Sequence, residues 1–276
     1  MATQREKYER FRALHERPGA FVLPNPWNEG TTRILTALGF EALGTTSAGY
    51  AFAVGRRDST AALTRDEVLH NAAAIVGATE LPVSGDLEDG FGAAPEACAE
   101  TIRRAIDIGL VGGSIEDATG DPSSPLYEFP LAVERVAAAS DAARGRPFVL
   151  TVRADTFLYE RPDLGDTIRR LLAFADAGAD VLYAPGLPSL DAIRAVCASV
   201  PKPVNMVMGL QHPLLSVDEL AAVGVKRISV GGSFARAALG AFIRAAQEVK
   251  DRGTFTCAAD AIPDPEVAAY MAESHR

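Results

Sequence analysis

A chain of 276 residues, 48% of them hydrophobic, suits one large domain or two small ones and has enough apolar residues for a full core. Its net charge of −9 excludes the basic face that nucleic acid requires, and three scattered cysteines, Cys98, Cys197 and Cys257, make neither a disulfide framework nor a zinc spacing. The charged start, MATQREKYERF, has no apolar signal region, and no apolar run reaches the ~20 residues of a membrane span, so the sequence reads as soluble and cytoplasmic.

In chain order, residues 4–17 predict an amphipathic helix with Tyr8, Phe11 and Leu14 on one face. Eight short apolar runs follow: Phe21–Leu23, Ala42–Thr45, Leu81–Val83, Leu110–Ile115, Phe148–Val152, Val181–Ala184, Val204–Val207 and Arg227–Val230. Helical patterns alternate with them, at 27–38, 64–79, 93–108, 127–144, 165–178, 189–199, 214–223 and 233–250. Gly39, Gly109, Gly178 and Gly224 stand where helices end before the next strand, which is C-cap chemistry. Strands alternating with helices pair in parallel, and eight such units predict a (β/α)₈ TIM-type barrel. No low-complexity linker interrupts the series, so residues 1–276 form a single domain, with a C-terminal segment from about 234 to 276 expected to serve oligomerisation. Its last part, 254–276, is polar and Ala-rich, helix-like from Pro265, and has no obvious home within the chain.

Barrel enzymes carry their chemistry at the C-terminal ends of the strands. Ser84-Gly85-Asp86-Leu87-Glu88-Asp89-Gly90-Phe91-Gly92 lies at such an end and sets three carboxylates in four positions. Hard cations such as Mg²⁺ take oxygen ligands and keep several waters, so one or two nearby carboxylates suffice. If the segment is extended, Asp86 and Glu88 point the same way and Leu87 points away. The bland reading is an acidic turn. The other strand ends offer Asn25 and Trp27, Ser47 to Tyr50 with Asp58, Glu116 and Asp117, Arg153 and Asp155, Tyr183, Asn205 with His212, and Gly231 to Ser233. An arginine among acids around a cation suits an anionic, oxygen-rich substrate. His212 is either a surface loop histidine or a proton donor, and Tyr183 either a wall of the barrel mouth or a substrate contact. A Schiff-base aldolase is excluded, because Lys202 and Lys226 precede their strands and lie at the wrong end.

These residues stand in a familiar order. Asn25-Pro26-Trp27, Thr46-Ser47-Ala48-Gly49, Gly55-Arg56-Arg57-Asp58, Asp86 to Gly92, Ser114-Ile115-Glu116-Asp117, Val152-Arg153-Ala154-Asp155 and Val230-Gly231-Gly232-Ser233 together resemble the isocitrate lyase/phosphoenolpyruvate mutase superfamily, from about residue 20 to about 255. The resemblance implies a (β/α)₈ barrel with its C-terminal helix exchanged between subunits of a homodimer or homotetramer. It also implies Mg²⁺ or Mn²⁺ and a 2-oxo acid or related di- or tricarboxylate that reacts through an enolate. By motif, Asp58, Asp86, Glu88 and Glu116 fall on the metal-site positions. Ser47, Ala48 and Gly49 fall on the substrate-binding loop and Arg153 on the substrate arginine. Arg153, Asp58 and Glu116 are thereby expected to be catalytic, and Asp86, Asn205 and His212 to touch substrate.

Two departures bear on chemistry. Glu88 stands where many members have aspartate. The lyases' Lys-Lys-Cys-Gly-His segment, whose cysteine delivers a proton, is replaced by Asp117-Ala118-Thr119-Gly120-Asp121-Pro122-Ser123-Ser124-Pro125-Leu126-Tyr127, without Cys, Lys or His. The expected activity is therefore carbon–carbon cleavage by a lyase or decarboxylase, with oxaloacetate turned over faster than either isocitrate. The alternatives are phosphorus–carbon chemistry, by a hydrolase, which Thr119 leaves open, or by a mutase, which the loop's lack of the mutases' Lys and Asn weakens, and a 2-oxo acid binding protein with little turnover.

Overall fold

The computed structural model describes residues 2–59, 62–159, 162–209 and 214–272. Short polar side chains start most helices by accepting the orphan amides of the first turn. Thr3 with Glu6 opens α1 (Gln4–Glu16), Thr64 with Glu67 opens α4 (Arg65–Gly77), and Ser216 with Glu219 opens α9 (Val217–Ala222), each as a reciprocal capping box. Asn28, Thr46, Asp163 and Ser189 cap α2 (Glu29–Ala37), α3 (Ser47–Ala53), α7 (Leu164–Asp176) and α8 (Leu190–Ser199). Proline opens α5 (Pro95–Asp107) and α6 (Phe129–Ala143), where a missing amide costs nothing.

Between these helices run β1 (Phe21–Leu23), β2 (Leu43–Gly44), β3 (Val83–Asp86), β4 (Gly112–Glu116), β5 (Val149–Arg153), β6 (Val181–Tyr183), β7 (Val204–Val207) and β8 (Val225–Ser229). All pair in parallel in the order β1-β8-β7-β6-β5-β4-β3-β2. The remaining seam, between β1 and β2, is bridged by the Gly44 amide on the Pro24 carbonyl at 2.9 Å and by Asn25 Nδ2 on the Thr45 carbonyl at 2.8 Å. Asn25 Oδ1 also accepts the amides of Val230 and Gly231, each at 2.9 Å, so one side chain ties three strand ends. A Cβ on Gly44 would stand 2.9 Å from Asn25 Nδ2 and 3.0 Å from Leu23 Cδ2, which is why the seam has glycine there. The result is the eight-stranded barrel that the alternating pattern predicts.

Most of the core lies between barrel and helices, where Ile102, Ile106, Leu110, Ile115, Leu150, Leu171 and Phe174 are buried. The N-terminal end of the barrel is plugged by α1, whose Phe11 and Leu14 pack on Phe21, Val149 and Val181. Tyr8 is only half-buried, and His15 takes the inner position instead, its ring centroid 5.0 Å from that of Phe21.

Three sequence expectations are corrected. The third strand runs to Asp86, beyond the Leu81–Val83 reading; Pro82 begins the extended stretch and Ser84-Gly85-Asp86 continue it as ladder residues. The segment after Asp86 is not extended: Glu88 lies at φ 47° and Phe91 at φ 61°, in the left-handed region that side chains disfavour. The supposed loop Ser47-Ala48-Gly49 is the first turn of α3. At the C-terminus, α10 (Ser233–Arg252) buries only Ala235 and Glu248 and leaves Phe242 and Ile243 exposed. The tail does find a resting place in its own chain, since α11 (Asp264–Met271) lies on α2 with Arg33 Nη1 donating to the Met271 carbonyl at 3.3 Å.

Candidate active site

A cavity of about 350 Å³ opens at the C-terminal ends of the strands, within the usual range for small-molecule sites. Asp58, Asp86, Glu88, Glu116, Arg153 and Tyr183 line it, with Ser47, Ala48, Asn205 and Arg227. The pleat explains the set. Ser84 and Asp86, and Ser114 and Glu116, follow the alternation that turns every second side chain into a barrel, and Arg153 and Tyr183 stand side by side at the ends of β5 and β6.

Arg153 is the hub. Nη1 lies 2.8 Å from Glu116 Oε2 and 3.9 Å from Asp86 Oδ1. Nε and Nη2 grip Asp155 at 3.1 and 2.8 Å, a two-pronged contact. Burial works against the guanidinium's charge, yet Asp155 and Glu116 more than offset this and hold its pKa well above the usual arginine range. Asp86 Oδ2 accepts the Ser47 amide at 2.9 Å and the Ser47 hydroxyl at 2.8 Å, which fixes the start of α3 to the end of β3. Burial, then the neighbouring acids Asp155, Asp86 and Glu88, push Glu116 well above the carboxylate range against the pull of Arg153. Asp58 is exposed at the mouth, and its carboxyl is raised by partial desolvation and by the charge of Asp86. The Tyr183 phenol is pushed up by burial, with Arg153 opposing, so it stays neutral.

Not every expected residue faces the cavity. Gly49 gives its amide to Thr46 Oγ1 at 3.2 Å and is wedged against Trp27 and Ala235, outside the lining. Asn205 lines the cavity, but its amide is engaged by Arg227 Nε at 2.8 Å and Ser229 Oγ at 3.1 Å. His212 lies outside the described residues. Asp117 points the other way, into the layer beneath the helices, where it accepts the Asp155 amide at 2.8 Å and Arg170 Nη1 at 3.1 Å. The loop that follows closes on itself: Ala118 bridges Leu126, Thr119 Oγ1 donates to the Ser124 carbonyl at 2.6 Å, and Tyr127 Oη donates to Asp89 Oδ2 at 2.8 Å. None of residues 117–128 is among the cavity's lining. Arg227 is the charged residue of the cavity lining that sequence reasoning missed. Alternation counted from Val225 does not signal it, because the β7–β8 register shifts between Val204, paired with Val225, and Asn205, paired with Arg227.

The donor chemistry fits a hard divalent cation. Asp58, Asp86, Glu88 and Glu116 supply oxygen only, and Asp86 raises both Asp58 and Glu116, a repulsion that a cation relieves. Among the described residues no three such side chains stand close enough to hold an ion by themselves. The set therefore fits a largely hydrated ion of the Mg²⁺ kind, with one or two direct carboxylates.

The barrel and its acid-rimmed cavity define the class, a TIM-type fold with its site at the C-terminal face. Residues 11–250 match the family model described as phosphoenolpyruvate phosphomutase. An uncharacterized protein of Mycobacterium tuberculosis is 33% identical over 242 residues, 87% of this chain and 89% of that one. The 2-methylisocitrate lyase of Shewanella oneidensis is 31% identical over 237 residues, 81% of this chain and 80% of that one. Among solved structures, a Burkholderia cenocepacia chain provisionally described as a lyase/mutase is 57% identical with a TM-score of 0.95, covering 98% and 97% of the two chains. A 2,3-dimethylmalate lyase is 25% identical with a TM-score of 0.86, covering 99% and 96%. The chain belongs to the isocitrate lyase/phosphoenolpyruvate mutase superfamily.

Proposed function

We propose that this protein is a Mg²⁺- or Mn²⁺-dependent carbon–carbon lyase acting on a small 2-oxo acid or a related di- or tricarboxylate, through an enolate. The observation that carries the reading is the charge pattern of the cavity: oxygen donors from Asp58, Asp86, Glu88 and Glu116 gathered around Arg153. The relatives named as lyases support the reaction type. When bound among these acids, the cation supplies Lewis-acid polarisation of a carboxylate oxygen and the adjacent keto oxygen. Arg153 sets the positions of Glu116 and Asp86, and Ser47 orients Asp86 with two donors. Ala48 walls the cavity beside them. Tyr183 brings a phenolic hydroxyl to the cavity wall, with Arg153 over its ring at 5.1 Å from the centroid.

Phosphorus–carbon chemistry is the weaker alternative, because the Thr119 hydroxyl is spent on its own loop. The same loop supplies no acid to the cavity, so cleavage that demands a well-placed proton loses about 10²–10⁴ in rate. Loss of carbon dioxide from a 2-oxo diacid asks less, since water can protonate the enolate afterwards. The test is a paired assay at matched enzyme and Mg²⁺, following pyruvate from oxaloacetate and glyoxylate or pyruvate from the isocitrates. Faster oxaloacetate turnover, lost in Arg153→Ala, is the expected result. Efficient isocitrate cleavage with inert oxaloacetate would show that another group, such as His212, donates the proton.

A further inference from the structure

The two arginines of the cavity differ in what already occupies them. Arg153 meets Glu116, Asp155 and, more distantly, Asp86, so its charge is more than matched. Arg227, from β8, meets only neutral acceptors: Asn205 Oδ1 at 2.8 Å from Nε, Thr151 Oγ1 at 2.9 Å from Nη2, and His15 Nε2 at 3.5 Å from Nη1. The histidine is an acceptor here because its Nδ1 lies 2.9 Å from the Phe11 carbonyl and must carry the hydrogen. Among the described residues no carboxylate lies within ion-pair distance of Arg227.

A guanidinium carries five N–H donors, and these three contacts leave one on each terminal nitrogen. Its residue is 3% exposed, yet it lines the cavity. A cation taken out of water without a counter-charge is costly, and an anion brought to it recovers much of that cost. We propose that Arg227 supplies a second positive charge to the cavity, one with no carboxylate partner among the described residues, that binds a carboxylate of the substrate.

Burial lowers the Arg227 guanidinium to about 10, which leaves it protonated at neutral pH. The held carboxylate is one that the reaction retains. A guanidinium on a departing carboxylate would oppose the outflow of charge that releases carbon dioxide, whereas on a retained one it anchors the acid while the bond beside the carbonyl breaks. The planar fork of arginine matches a carboxylate in shape, which a lysine at this place would not. This inference rests on the cavity being an acid-binding site, and it deepens the proposed function by naming the group that recognises the acid.

The test uses binding and needs no turnover. Malonate is titrated calorimetrically into the full chain without added metal, for the wild type, Arg227→Met and Arg227→Lys. Loss of affinity of at least about tenfold in Arg227→Met, with a smaller loss in Arg227→Lys, is expected for a removed charge-assisted contact. Unchanged malonate affinity in a folded Arg227→Met overturns the proposal. Should that variant fail to fold, wild-type crystals soaked in bromide decide the matter by anomalous scattering. A peak within hydrogen-bond distance of the Arg227 terminal nitrogens supports it, and bromide in the cavity only at other groups overturns it. An enzyme inert on every acid that still loses malonate binding in Arg227→Met would sink the proposed reaction and leave this inference standing.

Discussion

Glu116 and Asp117 are neighbours in sequence and lie on opposite sides of the sheet. Glu116 faces the barrel interior, where with Asp58, Asp86 and Glu88 it outnumbers Arg153. Asp117 faces the layer under the helices, where Arg170 answers it at 3.1 Å. The same holds for Asp86 and Asp89. The first lines the cavity, and the second meets Arg135, which also stacks on Tyr127 at 3.9 Å from the ring centroid. In the layer, acids and arginines are matched. In the cavity, acids exceed bases, and that excess marks the place where a cation and an anionic substrate belong.

The comparison is broken most sharply at Asp86. Asp86→Ala is expected to abolish calorimetric Mg²⁺ binding and to cut turnover by about 10²-fold or more, while circular dichroism shows an intact fold. Unchanged Mg²⁺ affinity would remove the metal assignment. The layer should respond in the opposite way. Asp117→Ala leaves the Asp155 amide without its acceptor while Arg170 keeps Asp166 and the Tyr127 carbonyl, and is expected to lower stability by about 1–3 kcal/mol in denaturant titrations, with Mg²⁺ affinity of the folded fraction unchanged.

A smaller effect is expected at the barrel floor. Burial first, then Arg227, brings the His15 imidazole down to about 3. The unfolded chain, with its imidazole near 6.5, therefore binds more protons between these values. Stability attributable to neutral His15 is complete above about 6.5 and is lost as pH falls toward 3. Denaturant midpoints for His15→Gln should be flatter than wild type over that window; an identical slope would show that other groups carry the acid response. The smallest effect is assigned to the tail. Removing residues 254–276 takes from Glu248 its contacts with Thr254, Thr256 and Cys257, and uncovers α2. A modest fall in melting temperature or in assembly size by light scattering is expected, on the proposal that an oligomer covers the exposed Phe242 and Ile243 of α10. A wild-type monomer would refute the oligomer.

Much of this was legible in the residues. Apolar runs and capping residues located all eight strands because parallel strands are buried on both faces and are mostly apolar. Motif order brought Asp58, Asp86, Glu88, Glu116 and Arg153 to one cavity. Where polar residues do ladder work, as in Ser84-Gly85-Asp86, the strand was read too short. Asp117 was placed on the rim because acids at a strand end look alike until the pleat assigns them a side. Small residues hid α3, although Thr46 is an ordinary N-cap. Arg227 was read as the entry to a strand, because a charged residue there usually faces water, and only the pairing of Asn205 with Arg227 fixes its direction.

The two-residue strand β2 has a kinetic consequence. β4 and β5 share a register of five residue pairs, whereas β2 pairs with β3 over two and meets β1 only through Pro24 and Asn25. Local opening follows the weakest pairing, so the barrel should breathe at this seam. In deuterium exchange, the amides of Leu43 and Gly44 should label well before those of β4 and β5. Because Asn25 also holds the Val230 and Gly231 amides just beyond β8, those two should label together with the seam rather than with β8.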